Sequence, residues 1–136
     1  MSVIISPSLL SADFGNLNSE IDMINESAAD WLHIDVMDGV FVPNISFGFP
    51  VLEFVNRRCK KPLDVHLMIE PVDALVPSFI EAGADIITFH CEATKHVDRT
   101  LQLIRKGGVK AGLVFNPATP LDYLDYELDP IDVVLL

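Results

Sequence analysis

Basic residues are scarce in this chain, and their scarcity limits what the protein can bind. The 136 residues include 9 lysines and arginines against 20 aspartates and glutamates, so the formal net charge is −11 at pH 7. Binding to nucleic acid depends on basic patches that neutralise phosphates and release counterions, so we expect no nucleic acid partner. The one basic cluster is interpreted as the solvated end of a helix, where positive charge is favoured; it comprises Arg57, Arg58, Lys60 and Lys61.

Cysteines and long apolar segments are also few. Cys59 and Cys91 are the two cysteines and form no CxxC motif, which excludes a disulfide framework and favours a reducing compartment. No apolar run approaches the about 20 residues that a membrane-spanning helix needs. The first residues, MSVIISPSLLSADF, lack the basic segment and cleavage site that are typical of a signal peptide. We therefore predict a cytoplasmic protein with no membrane partner.

Short apolar runs alternate with amphipathic stretches along the whole chain. The amphipathic stretches carry apolar residues at helical spacing, as at Leu17, Ile21 and Ile24. The apolar runs predict six strands, at residues 3–10, 31–36, 63–69, 86–90, 111–115 and 131–136. Strands that alternate with helices form parallel sheets with right-handed crossovers. The pattern therefore predicts an α/β protein with a single domain over residues 1–136.

Two parallel α/β folds are compatible with this pattern. An open doubly wound sheet can be completed within 136 residues, whereas a closed (β/α)8 barrel needs roughly 200 or more. The chain stops on four apolar residues, VVLL, inside the sixth predicted strand. Because chain ends are usually polar or docked, this ending favours a chain that is interrupted within a larger fold. Composition does not decide between the two folds.

Polar side chains interrupt two neighbouring apolar strands close to their C-terminal ends. The first of these strands begins the stretch LHIDVMDGVFVPNISFGFP, which continues into a loop with Gly39, Pro43 and Gly48. Alternate residues of a strand share one face, so each strand presents two polar groups and a methionine together. The two sets are His33, Asp35 and Met37 on one strand, and Asp64, His66 and Met68 on the next.

These side chains allow two interpretations. Two imidazoles and a carboxylate from adjacent strands are good ligands for a divalent metal such as Zn²⁺, Fe²⁺ or Mn²⁺. A histidine on a strand is also often a hydrogen-bonded core residue, and Met37 and Met68 have the spacing of core filling. His90 and Cys91 could form a further ligand pair, although a buried cysteine needs no metal to explain it. The residues alone leave both interpretations open.

Five segments follow one another along the chain, namely SPSLLSADF, LHIDVMDGVFVPNISFGFP, DVHLMIEP, FHCEA and GLVFNPATP. In this order and spacing they closely resemble the ribulose-phosphate 3-epimerase family. The resemblance extends from residue 5 to residue 136, and HxDxMDGxFVPN followed by DxHLM is highly specific. It implies a TIM (β/α)8 barrel, here truncated to about the first six strands. The allulose-6-phosphate 3-epimerase branch shares the same site plan and stays an alternative.

The resemblance implies a cytoplasmic isomerase of the pentose phosphate pathway. Such an enzyme interconverts D-ribulose 5-phosphate and D-xylulose 5-phosphate by proton transfer at C3 through an enediolate. His33, Asp35 and His66 match three ligands of one divalent ion, either Zn, Fe, Mn or Co, and Asp35 also matches one of two acid/base carboxylates. Groups that contact the substrate are matched by Ser8, His66, Met37 and Met68. The implied partners are a sugar phosphate and, in a homo-oligomer, further copies of the chain.

Two parts of the family's site have no counterpart in these residues. In the family, a second catalytic aspartate, which is also a metal ligand, lies in a VDGG segment of the seventh strand. Glycine-rich loops after the later strands bind the phosphate there. The chain is therefore expected to be part of an active epimerase, an inactive half-barrel, or a module that only binds metal or assembles.

Overall fold

The computed structural model describes residues 3–127 and 129–136, and within them five parallel strands form one sheet. The strands pair in chain order, and this order never reverses. A doubly wound sheet reverses its strand order at a switch point, so the sheet belongs to an incomplete TIM barrel. The strands are β1 (Leu32–Met37), β2 (Leu63–Met68), β3 (Ile86–His90), β4 (Lys110–Val114) and β5 (Val133–Leu135).

In the described part of the chain, one α-helix precedes β1 and four connect successive strands, in agreement with the alternating pattern. They are α1 (Leu17–Glu26), α2 (Phe49–Arg58), α3 (Val76–Glu81), α4 (Val97–Lys106) and a short α5 (Leu124–Glu127). Pro77 lies in the first turn of α3, where its missing N–H costs no hydrogen bond, so it begins the helix without breaking it. Among the described residues, no helix combines the length and hydropathy required to cross a membrane.

The first predicted strand, residues 3–10, is wrong as a regular strand. The segment is extended beside β1, where the carbonyl oxygen of Ile5 accepts from the N–H of Asp30 at 2.8 Å and that of Pro7 accepts from His33 at 2.9 Å. Pro7 has no N–H to donate, and Ser8 already caps a short 3₁₀ turn, Leu9–Ser11. The sixth predicted strand is also shorter than expected, because only Val133–Leu135 is paired.

The core lies between the sheet and the helices. Every residue of β2 and β3 is buried, whereas the edge strand β1 alternates between buried and half-buried positions. The buried positions of β1 join one apolar cluster with helix residues such as Leu52, Phe79 and Leu101. The half-buried positions of β1 are those of His33, Asp35 and Met37. The alternation therefore turns the polar set away from the helices.

Aspartates placed just before strands fix the alignment of neighbouring strands. A carboxylate in this position accepts a hydrogen bond from the backbone N–H at the start of the preceding strand or extended segment, at 2.8–2.9 Å. These bonds satisfy donors at the strand ends that have no partner in the sheet. They join Asp30 to Ile5, Asp85 to Leu63, and Asp132 to Ala111.

Candidate metal centre

The pairing of β1 with β2 brings the two polar sets side by side. In this register His33 is opposite Asp64, Asp35 is opposite His66, and the methionines Met37 and Met68 are opposite each other. Side chains at paired positions of adjacent strands lie on the same face, so imidazole and carboxylate groups alternate across a small area. This arrangement depends on the register, since a shift of one residue would turn one set to the other face.

Asp35 is at the centre of the cluster. Its Oδ1 lies 3.1 Å from Nε2 of His33 and 3.1 Å from Nδ1 of His66. Its Oδ2 accepts a hydrogen bond from the hydroxyl of Ser8 at 2.5 Å. One ligand atom from each of His33, Asp35 and His66 lies within 4.8 Å of the others. The structure therefore brings together four of the side chains that the sequence singled out, and their roles stay predictions.

The donor atoms suit a divalent transition metal. Two imidazole nitrogens and one carboxylate oxygen are ligands that Zn²⁺, Fe²⁺ and Mn²⁺ accept. The side chains of His33, Asp35 and His66 are 17%, 16% and 10% exposed, so an ion there would be largely shielded while open to solvent on one side. The residues present fit a metal, and these three would hold it.

The electrostatics of the cluster favour charged forms of Asp35 and His33. Burial opposes the charge on His33, but the hydrogen bonds from its ring to Asp35 and Asp64 outweigh that cost and raise the pKa of His33 to about 9. Burial likewise opposes the charge on Asp35, but the hydrogen bonds from His33, His66 and Ser8 hold the pKa of its carboxyl well below the usual range. Asp35 is therefore ionised at neutral pH.

Asp64 contacts the ring nitrogen of His33 that faces away from Asp35. The sequence assigns Asp64 no role. Its Oδ2 lies 2.7 Å from Nδ1 of His33, on the side of the ring opposite Asp35. The Asp-x-His spacing on β2 showed only that Asp64 and His66 share a face. The contact with His33 on the neighbouring strand depends on the β1–β2 register, which the sequence does not reveal.

From the sequence, His90, at the end of β3, is a candidate metal ligand only as a pair with Cys91. The structure separates the two, because Cys91 is buried in the core while Nε2 of His90 lies 3.0 Å from Nε2 of His66. Burial and the proximity of the His66 ring lower the pKa of His90 to about 4, so His90 is neutral. Burial and the charge of Glu92 raise the pKa of the Cys91 thiol to about 12, so the free thiol is protonated at neutral pH.

The remaining predicted residues surround the cluster. Met37 is half-buried and Met68 is buried, each two positions beyond a proposed ligand on its own strand. The loop after β1 is anchored by Ser46, whose hydroxyl donates to the carbonyl oxygen of Asp35 at 2.7 Å and accepts from the N–H of Met37 at 2.9 Å. Sequence reasoning missed Ser46, which carries no local signal beyond its place in the loop.

Comparisons with known proteins show the family of the chain. Residues 4–136 match the model of the ribulose-phosphate 3 epimerase family. The ribulose-phosphate 3-epimerase of Escherichia coli K12 is 57% identical over 134 residues, which are 98% of this chain and 60% of that protein. Ribulose-phosphate 3-epimerase 1 of Cupriavidus necator is 56% identical over 132 residues, which are 97% of this chain and 55% of that protein. The chain thus spans somewhat more than half the length of these relatives.

A solved structure supports the architecture alone. The tryptophan synthase α-subunit of Pyrococcus furiosus superposes with a TM-score of 0.70 over 98% of this chain and 63% of that one. Sequence identity in this match is 15%, so the likeness concerns the fold and carries no argument about function. It agrees with the strand order in identifying part of a TIM barrel.

Proposed function

The chain belongs to the ribulose-phosphate 3-epimerase family, and we propose that it carries the metal-binding half of an isomerase acting on a sugar phosphate. The reaction is the interconversion of D-ribulose 5-phosphate and D-xylulose 5-phosphate in the pentose phosphate pathway. The observation that carries the proposal is the convergence of His33, Asp35 and His66 within 4.8 Å on two adjacent strands. Residues 1–136 would form a single domain that is the N-terminal portion of a (β/α)8 barrel.

The three clustered residues would hold one divalent ion, which is Zn, Fe, Mn or Co. When bound, such an ion supplies Lewis-acid stabilisation of the negative charge that develops on the oxygens next to C3. Two imidazoles, each offering an unprotonated nitrogen, and one carboxylate would leave positions open for substrate or water. The side chains are set on strands, and rigid elements hold ligands to the accuracy that a metal requires.

Asp35 is the proposed acid/base group of this half. Its carboxylate is ionised at neutral pH, so it can take the proton from C3 of the sugar. Ser8 donates to Oδ2 of Asp35 at 2.5 Å, which orients the carboxylate and places a hydroxyl where a substrate oxygen could bind. Met37 and Met68 would line the site with thioethers, which add contact area without competing for the proton.

Inversion at C3 needs a second carboxylate on the opposite face of the sugar. The family resemblance assigns that group to a later strand, and this chain spans 60% of the Escherichia coli relative. The sheet is consistent with a second group on a later strand, since β5 is the last strand in the sheet order and pairs with β4 along one edge. A second candidate function follows from this division, namely a half-barrel that binds metal without turnover.

Hydrogen–deuterium exchange at C3 separates these candidates. The chain is incubated in D₂O with ribulose 5-phosphate and Mn²⁺, Fe²⁺ or Zn²⁺, and loss of the C3 proton signal and formation of xylulose 5-phosphate are followed by NMR. We expect metal-dependent exchange that disappears in Asp35→Asn. Metal binding without exchange would favour the second candidate, and exchange that persists in Asp35→Asn would remove Asp35 from the mechanism.

The substrate and the assembly can be tested in the same preparation. Faster exchange with allulose 6-phosphate than with ribulose 5-phosphate would favour the hexose branch of the family. We propose a homo-oligomer, which sedimentation would reveal as a mass above the 15.0 kDa of one chain. We also propose a cytoplasmic location, which suits the two free thiols of Cys59 and Cys91.

A further inference from the structure

We propose that Asp64 is a positioning residue that fixes the ring of His33 and keeps a proton on its Nδ1, so that Nε2 is the nitrogen offered to metal. The proposal rests on the metal site of the proposed function. Its geometric basis is a short contact, because Oδ2 of Asp64 lies 2.7 Å from Nδ1 of His33.

The two ring nitrogens of His33 face different partners. Nε2 points into the cluster, 3.1 Å from Oδ1 of Asp35, whereas Nδ1 points away from it to Asp64. Asp64 is therefore placed behind the ring and is not among the three residues whose ligand atoms converge. Its side chain is 10% exposed, so water competes little for the contact.

When the His33 ring gives up one proton to bind metal, the contact with Asp64 selects which nitrogen keeps the other. A nitrogen that binds metal must use its lone pair, so the remaining ring proton has to be on the other nitrogen. A carboxylate has only acceptor positions and is therefore satisfied by Nδ1–H. An amide in the same place could instead donate to Nδ1, which would put the proton on Nε2 and block coordination. Asp64→Asn thus removes the strict preference for a proton on Nδ1 while keeping the size of the side chain.

His66 has a different kind of partner, which makes the effect specific to His33. Nδ1 of His66 faces Asp35, and Nε2 faces the neutral ring of His90 at 3.0 Å. A neutral imidazole can act as donor or acceptor, so it imposes no fixed tautomer. The carboxylate of Asp64 does impose one, and carboxylate–histidine–metal arrangements of this kind raise metal affinity.

The test compares the wild-type chain with Asp64→Asn and with a control, Asp85→Asn. The carboxylate of Asp85 accepts a hydrogen bond from the N–H of Leu63 in the same sheet. Asp85→Asn therefore also replaces a hydrogen-bonded carboxylate, but one that contacts neither His33 nor His66. Zn²⁺ affinity is measured by competition with a chromophoric chelator, and the His33 ring nitrogens and their protons are observed by ¹⁵N NMR. We expect a loss of affinity of about 10–100-fold in Asp64→Asn and none in Asp85→Asn.

The NMR readout reports on Asp64 independently of metal binding and of catalysis. In the wild type we expect a downfield Nδ1–H of His33, protected from exchange with water, both without metal and with Zn²⁺. In Asp64→Asn this proton should move upfield and exchange faster with water, because a neutral amide oxygen is a weaker acceptor than a carboxylate. A wild type that lacks the protected Nδ1–H overturns the proposal even if the variant does not fold, and so does wild-type Zn²⁺ affinity in Asp64→Asn. A wild type that binds no Zn²⁺ but shows the protected proton contradicts only the proposed function.

Discussion

Asp38 connects the loops that follow β1 and β2 by hydrogen bonds. Its replacement by asparagine tests how much these bonds stabilise the fold next to the candidate site. One carboxylate oxygen accepts from the N–H groups of Val40 and Phe41 at 2.8 and 2.9 Å, and the other accepts from Glu70 at 2.8 Å. Burial opposes the charge on Asp38, but the backbone N–H groups outweigh it and lower the pKa of the carboxyl. Asp38 thus links two loops by hydrogen bonds and is also part of a turn.

Asp38→Asn leaves one acceptor oxygen and replaces the other with an NH₂ group. That group has no acceptor to offer to the N–H of Glu70, so at least one hydrogen bond to a charged group is lost. Such a bond contributes ~1.5–3 kcal/mol, and the partial exposure of Asp38 reduces the expected loss to about 1–2 kcal/mol. Urea unfolding followed by circular dichroism measures the change. The control is Glu53→Gln, which removes an exposed carboxylate of α2.

The pH dependence of this difference gives the sharper test. The folded pKa of Asp38 is below the ordinary value of 3.8, so its carboxylate contributes stability that is fully present above that value. The contribution is lost as the pH falls through the folded pKa. The difference in free energy of unfolding between wild type and Asp38→Asn should therefore be largest at neutral pH and disappear in strong acid. Equal stability at neutral pH, or a difference that does not change with pH, would refute the reasoning.

Two further substitutions test the metal cluster and the sheet. His66→Ala should weaken Zn²⁺ binding by at least about 100-fold in a chelator competition, whereas His96→Ala, which changes an exposed histidine, should not; equal affinities would contradict the ligand assignment. Gly112→Ala would place a Cβ 2.8 Å from the carbonyl oxygen of Val133 in β5, so we expect a loss of about 1–3 kcal/mol in urea unfolding. Gly48→Ala, whose added Cβ meets no described atom within 4 Å, is its control.

The buried strands could be predicted from sequence because their signal is local. Predicted strand 86–90 is β3 itself, and 63–69 exceeds β2 by one residue, since short, mainly apolar runs mark strands that are covered on both faces. The first predicted strand failed because its apolar residues resemble a strand while Pro7 and the cap at Ser8 limit its pairing. Apolar composition does not report hydrogen-bond partners.

The candidate site could be predicted to the extent that it depends on alternation along one strand. The period of two put His33 with Asp35, and Asp64 with His66, on shared faces. The contact between His33 and Asp64 depends on the register of two strands that are 31 residues apart in sequence. No pattern within either strand reveals that register, so the site's supporting hydrogen bonds became visible only in the fold.

The central claim is that His33, Asp35 and His66 together bind one divalent ion. X-ray absorption at the zinc edge of the Zn²⁺-loaded chain tests it most directly. We expect one ion per chain, with two imidazole nitrogens and carboxylate or water oxygens at about 2.0–2.2 Å. A sulfur ligand at about 2.3 Å, which only Cys59, Cys91 or a methionine could supply, or the absence of bound zinc, would contradict the claim.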